Sequence, residues 1–286
     1  MFREITLGQF YQTDSVIHRL DPRVKLLGTV LFFVSLFFIN NPAGYAFAIL
    51  FLAMVIIISN VPFRYIIKGM RSILFILLIT VVINLFATTG EPVVSFWKFT
   101  ITKEGIIQAV FLALRLSLLV IGSSILTLTT TPNNLTDGLE KGLGFLKILK
   151  VPVHEVAMMM SIALRFIPIL LEETDKIMKA QLARGADFES GNIFKRIKAY
   201  VPILVPLFIS AFRRANDLAM AMEARCYRGG DSRTKMKPLK YAGRDARAYV
   251  ILFVYIGFSI FVGRQAAFGV DALYEMFRDL YAAINL

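Results

Sequence analysis

Residues 26–63 read LLGTVLFFVSLFFINNPAGYAFAILFLAMVIIISNVPF, thirty-eight positions without a charged side chain. A helix that crosses the hydrocarbon of a bilayer needs about 20 apolar residues at 1.5 Å rise each. The run is too long for one crossing and long enough for two. Asn40-Asn41-Pro42 stands at its middle. Two amides and a proline stop a helix and favour an interface, so the stretch predicts a tight hairpin of spans over about 24–40 and 43–60.

The same reading extends outward. A third span is predicted over 72–89, a fourth over 105–130 and a fifth, somewhat short, over 248–263. The whole chain agrees, with 57% hydrophobic residues and 25 phenylalanines in 286 positions and a mean hydropathy of +0.65. This places it in the membrane class. The fold class is all-α: a polytopic membrane protein of about five transmembrane helices plus long cytosolic helices. The three predicted domains are an N-terminal transmembrane domain (1–130), a cytosolic helical domain (131–247), and a C-terminal transmembrane helix and tail (248–286).

Positive charge sets the orientation. Arg3, Arg19, Arg23 and Lys25 precede the first span, and Arg64, Lys68 and Arg71 follow the second. The 40–43 turn has no basic residue, and Lys98 and Lys103 in the 89–104 loop are offset by Glu91 and Glu104. Residues 131–247 carry 20 Lys and Arg against 12 Asp and Glu, a surplus of eight out of the formal +12. The N-terminus and the insert are therefore expected inside and the C-terminus outside. Topology and anionic lipid account for the basic excess, and the absence of an aromatic-basic module argues against nucleic acid. The single Cys226 excludes an internal disulfide. Residues 1–20 lack the apolar core of a signal peptide.

Inside the insert, Asn133 or Asn134 is expected to cap a first helix running to Lys150. Pro152 opens a second helix, apolar from Val156 to Leu171 and then charged to Arg184, with a kink expected at Pro168. A third begins near Ile193, oily over 199–212 and charged towards Arg225. Two helices that start apolar and finish polar read as levers, each with one end at the membrane and the other in the cytosol. Ala180 and Ala183, like Ala221 and Ala224, put small side chains three apart, where helices approach closely. Ala215 and Ala219 extend that surface.

The two long helices end alike. Ala180-Gln181-Leu182-Ala183-Arg184-Gly185 recurs 41 residues later as Ala221-Met222-Glu223-Ala224-Arg225-Cys226. A basic residue in a last helical turn complements the macrodipole without any partner. Repetition at an equivalent position points further, because a guanidinium carries five donors in a rigid plane and grips a carboxylate bidentately.

Taken with His18-Arg19-Leu20-Asp21-Pro22-Arg23-Val24-Lys25, Thr129-Thr130-Thr131-Pro132 and Arg165-Phe166-Ile167-Pro168, these signatures span nearly the whole chain. In that order and context the chain resembles the transmembrane T component of energy-coupling factor (ECF) transporters. The resemblance implies a coupling scaffold without substrate chemistry, in the bacterial or archaeal cell membrane. Its insert would form coupling helices. Ala183, Arg184, Gly185 and Ala224, Arg225, Cys226 would bind two cytosolic ABC-type ATPases, with acidic groups there as counter-charges. A separate membrane subunit would bind the vitamin or metal ion, and ATP would be held by the ATPases, so this chain itself needs no cofactor. The family pattern favours glycine after each arginine; Cys226 departs from it. Cysteine takes the left-handed conformation poorly, so the third helix is expected to run on towards Gly229-Gly230, leaving Arg225 inside the last turn.

An enzyme is the first rival. Only His18 and His154 are present, without metal-ligand spacing, and Gly142 and Gly144 lack the lysine and hydroxyl of a phosphate loop. No metal site and no enzymatic activity are expected. A self-sufficient channel or secondary transporter is the other, and it calls for internal symmetry and midplane polarity. The intramembrane polar residues singled out are Arg115 and Asn84; a charge at that depth reads by default as functional, while bonds from Arg115 to carbonyls or to Asn84 would make it a structural clamp, the reading favoured here. Asp21-Pro22-Arg23 reads as a helix-start turn with a surface ion pair.

Overall fold

In a computed structural model, which describes residues 10–71, 73–89, 92–96, 99–188, 193–229, 236 and 238–264, the uncharged run folds as two helices. These are α1 (Pro22–Phe38) and α2 (Pro42–Ser59), parted by the expected Asn40-Asn41 break. Both begin at proline, which suits a first turn whose N–H groups have no intrahelical partner anyway. The Asp21 carboxylate caps α1 by accepting the Arg23 N–H at 2.9 Å.

The third span, expected over 72–89, is shorter than predicted, and a further helix precedes it in the segment read as a loop. α3 (Phe63–Arg71) and α4 (Leu74–Ala87) meet at a bend of 59°. The 14 residues of α4 cover about 21 Å of a hydrocarbon layer about 30 Å thick, so it is short alone. α3 is amphipathic, with Arg64, Lys68 and Arg71 exposed and Ile66 fully buried. That pattern suits a helix lying at an interface. The segment read as a polar loop holds an antiparallel hairpin, β1 (Pro92–Phe96) and β2 (Phe99–Thr102), the one departure from helix among the described residues. Thr102 then caps α5 (Lys103–Thr129), its hydroxyl accepting the Gly105 N–H at 3.1 Å.

After α5 come α6 (Pro132–Gly142), a 3-10 helix over Leu143–Leu149, α7 (Val153–Ala183), α8 (Ile193–Ala224) and α9 (Gly243–Arg264). The start of α6 corrects the expected cap. The Thr131 hydroxyl, not Asn133 or Asn134, accepts the Asn134 N–H at 3.4 Å, and Pro132 takes the first helical position. α6 also gives way to the 3-10 helix at Leu143 instead of continuing to Lys150. α2, α5 and α9 are each long and apolar enough to cross a membrane, as is the α3–α4 pair taken together. The 17-residue α1 is one turn or less from the same length. By length and composition α7 qualifies too.

The chain divides into two compact units, Leu139–Pro238 and the combination of Gly8–Gly138 with Leu239–Leu286. In the latter, α9 packs on α1 and α2, and α5 on α1, α2, α3 and α4. The core gathers Phe32, Leu36, Tyr45, Leu52, Leu118 and Tyr255. Tyr255 stacks on Phe51 at 4.1 Å and on Phe47 at 5.4 Å, and its hydroxyl shares a 3.1 Å hydrogen bond with Ser35. Because lipid tails are as apolar as side chains, such packing and polar contacts, rather than expulsion from water, hold membrane helices together. A Cβ on Gly122 would stand 3.1 Å from Phe33 and 3.2 Å from Phe32, so glycine is what lets α5 come this close to α1.

The start of α1 is fastened by charge. Asp245, 2% exposed, accepts the Asp21 N–H at 2.9 Å and the Ala242 N–H at 2.8 Å. The Lys25 ammonium donates to the carbonyls of His18 (3.0 Å) and Thr129 (2.9 Å). Arg23 lies over the Tyr241 ring and donates to the Leu239 carbonyl at 3.3 Å. Asp21-Pro22-Arg23 is a helix-start turn, as expected, but not a surface one. The Asp21 side chain is 3% exposed and lies 3.6 Å from the Arg23 guanidinium.

Candidate functional site

Within the Leu139–Pro238 unit, α7 and α8 run through their internal prolines (Pro168; Pro202 and Pro206) as continuous helices of 31 and 32 residues. Their mutual contacts fix the direction. Glu173 accepts hydrogen bonds from the Ser210 hydroxyl and, at 2.8 Å, from Arg214, while the Gln181 side-chain amide donates to the Pro202 carbonyl at 3.3 Å. Higher numbers on α7 meet lower numbers on α8, so the helices are antiparallel. Ile162, Phe166 and Leu170 accordingly face Ala211, Ala215, Ala219 and Met222 across a small cavity. The apolar half of α7 thus lies against the charged half of α8. The two oily halves, read from sequence as similar lever ends, sit at opposite ends of the pair.

Of the small residues, Ala215 and Ala219 line the α7–α8 contact, whereas Ala180, Ala183, Ala221 and Ala224 are exposed. Large apolar side chains also stay uncovered on both helices, among them Met159 at 57%, Phe208 at 61% and Phe212 at 66% exposed.

Both signatures close their helices in the same way. After α7, the Gly185 N–H donates to the Leu182 carbonyl at 3.0 Å and the Ala186 N–H to the Gln181 carbonyl at 3.0 Å. After α8, the Cys226 N–H donates to Glu223 at 2.8 Å and the Tyr227 N–H to Met222 at 3.0 Å. This pair of bonds, with a left-handed residue between, is the Schellman termination. Gly185 takes φ +86° and Cys226 φ +55°. Cys226 therefore does what glycine does, and α8 stops at Ala224 instead of running towards Gly229. Residue 230 lies outside the described residues. Arg225 sits at the helix cap, the counterpart of Arg184.

Both guanidinium groups are exposed and take part in no hydrogen bond or ion pair among the described residues. From the Glu173–Ser210/Arg214 crossing, Arg184 lies about 16 Å along α7 and Arg225 about 20 Å along α8 in the opposite direction. The chain thus presents two like-built cationic tips with polar backbone turns beside them.

Arg115 and Asn84 do not pair. The Arg115 guanidinium donates to the Tyr45 hydroxyl (3.0 Å), the Ile39 carbonyl (3.2 Å) and the Asn40 side chain (3.3 Å). It thereby satisfies the open C-terminal carbonyl of α1, where a cation is favoured. The Asn84 amide donates within its own helix to Thr80, at 2.9 Å. Arg115 is a clamp on carbonyls; Asn40 has the amide role expected of Asn84, because the α1–α2 turn folds over α5. His154 shares a 2.9 Å hydrogen bond with Glu140. Sequence reading missed Asp245, which lacks any motif; its one signal is a carboxylate standing just ahead of an apolar span.

The chain has close relatives. The CbiQ family, described as cobalt transport protein, matches residues 13–236. An energy-coupling factor transporter transmembrane protein, EcfT, of Clostridium kluyveri is 56% identical over 91% of this chain and 97% of its own length. The EcfT proteins of Thermosediminibacter oceani (54% identical, 87% of this chain, 94% of the relative) and Bacillus subtilis (46%, 92% and 99%) align nearly end to end as well.

Proposed function

Because the chain belongs to the family of energy-coupling factor transporter transmembrane proteins, we propose that it transmits ATP-driven motion of two cytosolic ABC-type ATPases to a separate substrate-binding membrane subunit. That subunit would carry the vitamin or transition-metal ion through the bacterial cell membrane. The observation that carries the reading is the duplicated helix end. Arg184 and Arg225 occupy matching Schellman caps at opposite ends of one antiparallel pair, each exposed and unpaired within the chain among the described residues. Two equivalent tips fit two equivalent partners. A groove lined by carboxylates would take each guanidinium bidentately, with Ala183 and Ala224 before it and Gly185 and Cys226 after it leaving room for close approach.

ATP binding and hydrolysis would then occur in the partners, and closure of the ATPase pair would change the forces on the two tips. A rigid pair clamped by Glu173, Ser210 and Arg214 would turn as a unit. The exposed apolar faces of α7 and α8 would meet lipid or the substrate-binding subunit. On this reading the insert is cytosolic, in keeping with its surplus of positive charge.

The test is copurification and uptake in the assembled complex. Truncating one partner of a buried, hydrogen-bonded charge pair costs about 2–5 kcal/mol, so Arg184→Ala or Arg225→Ala should weaken ATPase docking at least about thirtyfold. The double substitution should abolish uptake. Full transport by the double variant would overturn the assignment, and a chain that moves substrate without any ATPase would favour a self-sufficient transporter.

A further inference from the structure

Where α1 and α9 begin and α2 and α5 end, a cavity of about 770 Å³ opens within the Gly8–Gly138 and Leu239–Leu286 unit. Its walls are apolar, with Phe32, Phe51, Met54, Ile125 and Leu252 among them, and its rim is charged. The charged lining residues are Arg19, Lys25, Arg244, Arg247 and Asp14. Arg19 is neutralised by a two-pronged pair with Asp14, and Lys25 is committed to the His18 and Thr129 carbonyls. Arg244 feels the Asp14 carboxylate through space without bonding to it, and Arg247 stands beyond it. They stand three apart on the first turns of α9, both exposed, with no hydrogen bond or ion pair among the described residues.

We propose that this cavity binds one anionic phospholipid of the leaflet facing the basic loops, its phosphate on Arg244 and Arg247 and an acyl chain between α1, α2, α5 and α9. Three features select a lipid over a soluble anion or a protein segment. A free anion would leave the apolar walls unused. From Val24 to Phe32, both lining residues, α1 rises about 12 Å, which stays within one leaflet of a hydrocarbon layer about 30 Å thick. Met54, Ile58 and Ile251 line the cavity yet remain 48%, 38% and 51% exposed. The cavity is thus open on its side, where hydrocarbon lies, as well as at its charged rim. The volume falls in the range of about 300–1,000 Å³ that suits a small-molecule site.

The experiment uses the full chain, purified in neutral detergent and stripped of lipid, with retained lipid measured by native mass spectrometry. The probes are dioleoyl phosphatidylglycerol, dioleoyl phosphatidylcholine and glycerophosphoglycerol, the headgroup without chains. An arginine near anionic lipid contributes about a factor of five. One phosphatidylglycerol per chain should therefore bind about 25-fold more tightly than phosphatidylcholine. Arg244→Gln with Arg247→Gln should remove that preference, and Ile251→Trp, which fills the side opening, should weaken both lipids. Arg64→Gln with Lys68→Gln, two exposed cations of α3, should bind phosphatidylglycerol as the wild type does. Equal retention of the two lipids by the wild type would overturn the proposal without recourse to any variant. Undiminished preference in the folded glutamine variant, or displacement by the headgroup alone at equal concentration, would overturn it as well.

Discussion

Cys226 shows how a single backbone angle can be set by its surroundings against the preference of its side chain. At φ +55° a Cβ crowds the following carbonyl, at a cost of roughly 1–2 kcal/mol. Glycine escapes this cost but gives back part of the gain in unfolded-chain entropy. Cys226→Gly should therefore stabilise the end of α8 by about 0.5–1 kcal/mol. Hydrogen exchange would show this as two- to fivefold greater protection of the Cys226 and Tyr227 amides, whose acceptors are Glu223 and Met222. Cys226→Ala should change little, and an equal gain with alanine would refute the conformational account. Arg225 needed the structure for its placement, because its position depends on that angle and side-chain preference alone favours the wrong one. Arg184, followed by glycine, was legible from the outset. His18 illustrates a residue satisfied within its own segment: Ser15 contacts Nδ1 at 2.7 Å and the Tyr11 carbonyl Nε2 at 3.0 Å, while burial depresses its pKa below the usual histidine range.

At the scale of the element, the helices of the insert were legible because their apolar-to-charged gradients and flanking Gly and Pro residues are local signals. Their pairing was not. Nothing in either gradient says whether two such helices run parallel or antiparallel; that follows from Glu173 meeting Ser210 and Arg214, and Gln181 meeting Pro202. α3 falls in the segment read as the loop between the second and third spans. Arg64, Lys68 and Arg71 read as loop charges, because with Ile66 they carry a helical pattern too short to stand out. The antiparallel pairing makes a measurable prediction. Spin labels on Arg184→Cys and Arg225→Cys, in a chain where Cys226 is replaced by glycine, should lie roughly 30–36 Å apart by electron–electron dipolar spectroscopy. A separation under about 20 Å would mean that the tips lie side by side, contrary to the opposed rise of the two helices.

Across the whole molecule, the distribution of charge made the ends of the bundle readable while concealing what joins them. Positive loops placed the starts of α1 and α9 and the end of α5 at one face, and the contacts of Lys25 and Asp245 do bring those three points together. The joining residue was invisible because Asp245 acts on Asp21 across 224 positions, a pairing that no local pattern encodes. Its carboxylate serves the N–H groups of Asp21 and Ala242 in a site almost closed to solvent. Charge-assisted hydrogen bonds of this kind contribute about 1.5–3 kcal/mol each, and an orphaned buried donor adds its own penalty. Negative charge from Asp21, 3.6 Å from the Arg23 guanidinium, and from Asp245 also acts on the Lys25 ammonium. Asp245→Ala should thus destabilise the helix bundle by about 3–5 kcal/mol. Asp245→Asn, which keeps one acceptor oxygen, should lose roughly half as much. Unfolding in mixed detergent–SDS micelles, followed by circular dichroism, separates the two expectations. If Asp245→Ala unfolded with the wild type, the join between α9 and α1 would have to rest on Tyr255, which meets the Phe32 ring at 6.0 Å and shares a 3.1 Å hydrogen bond with Ser35, instead.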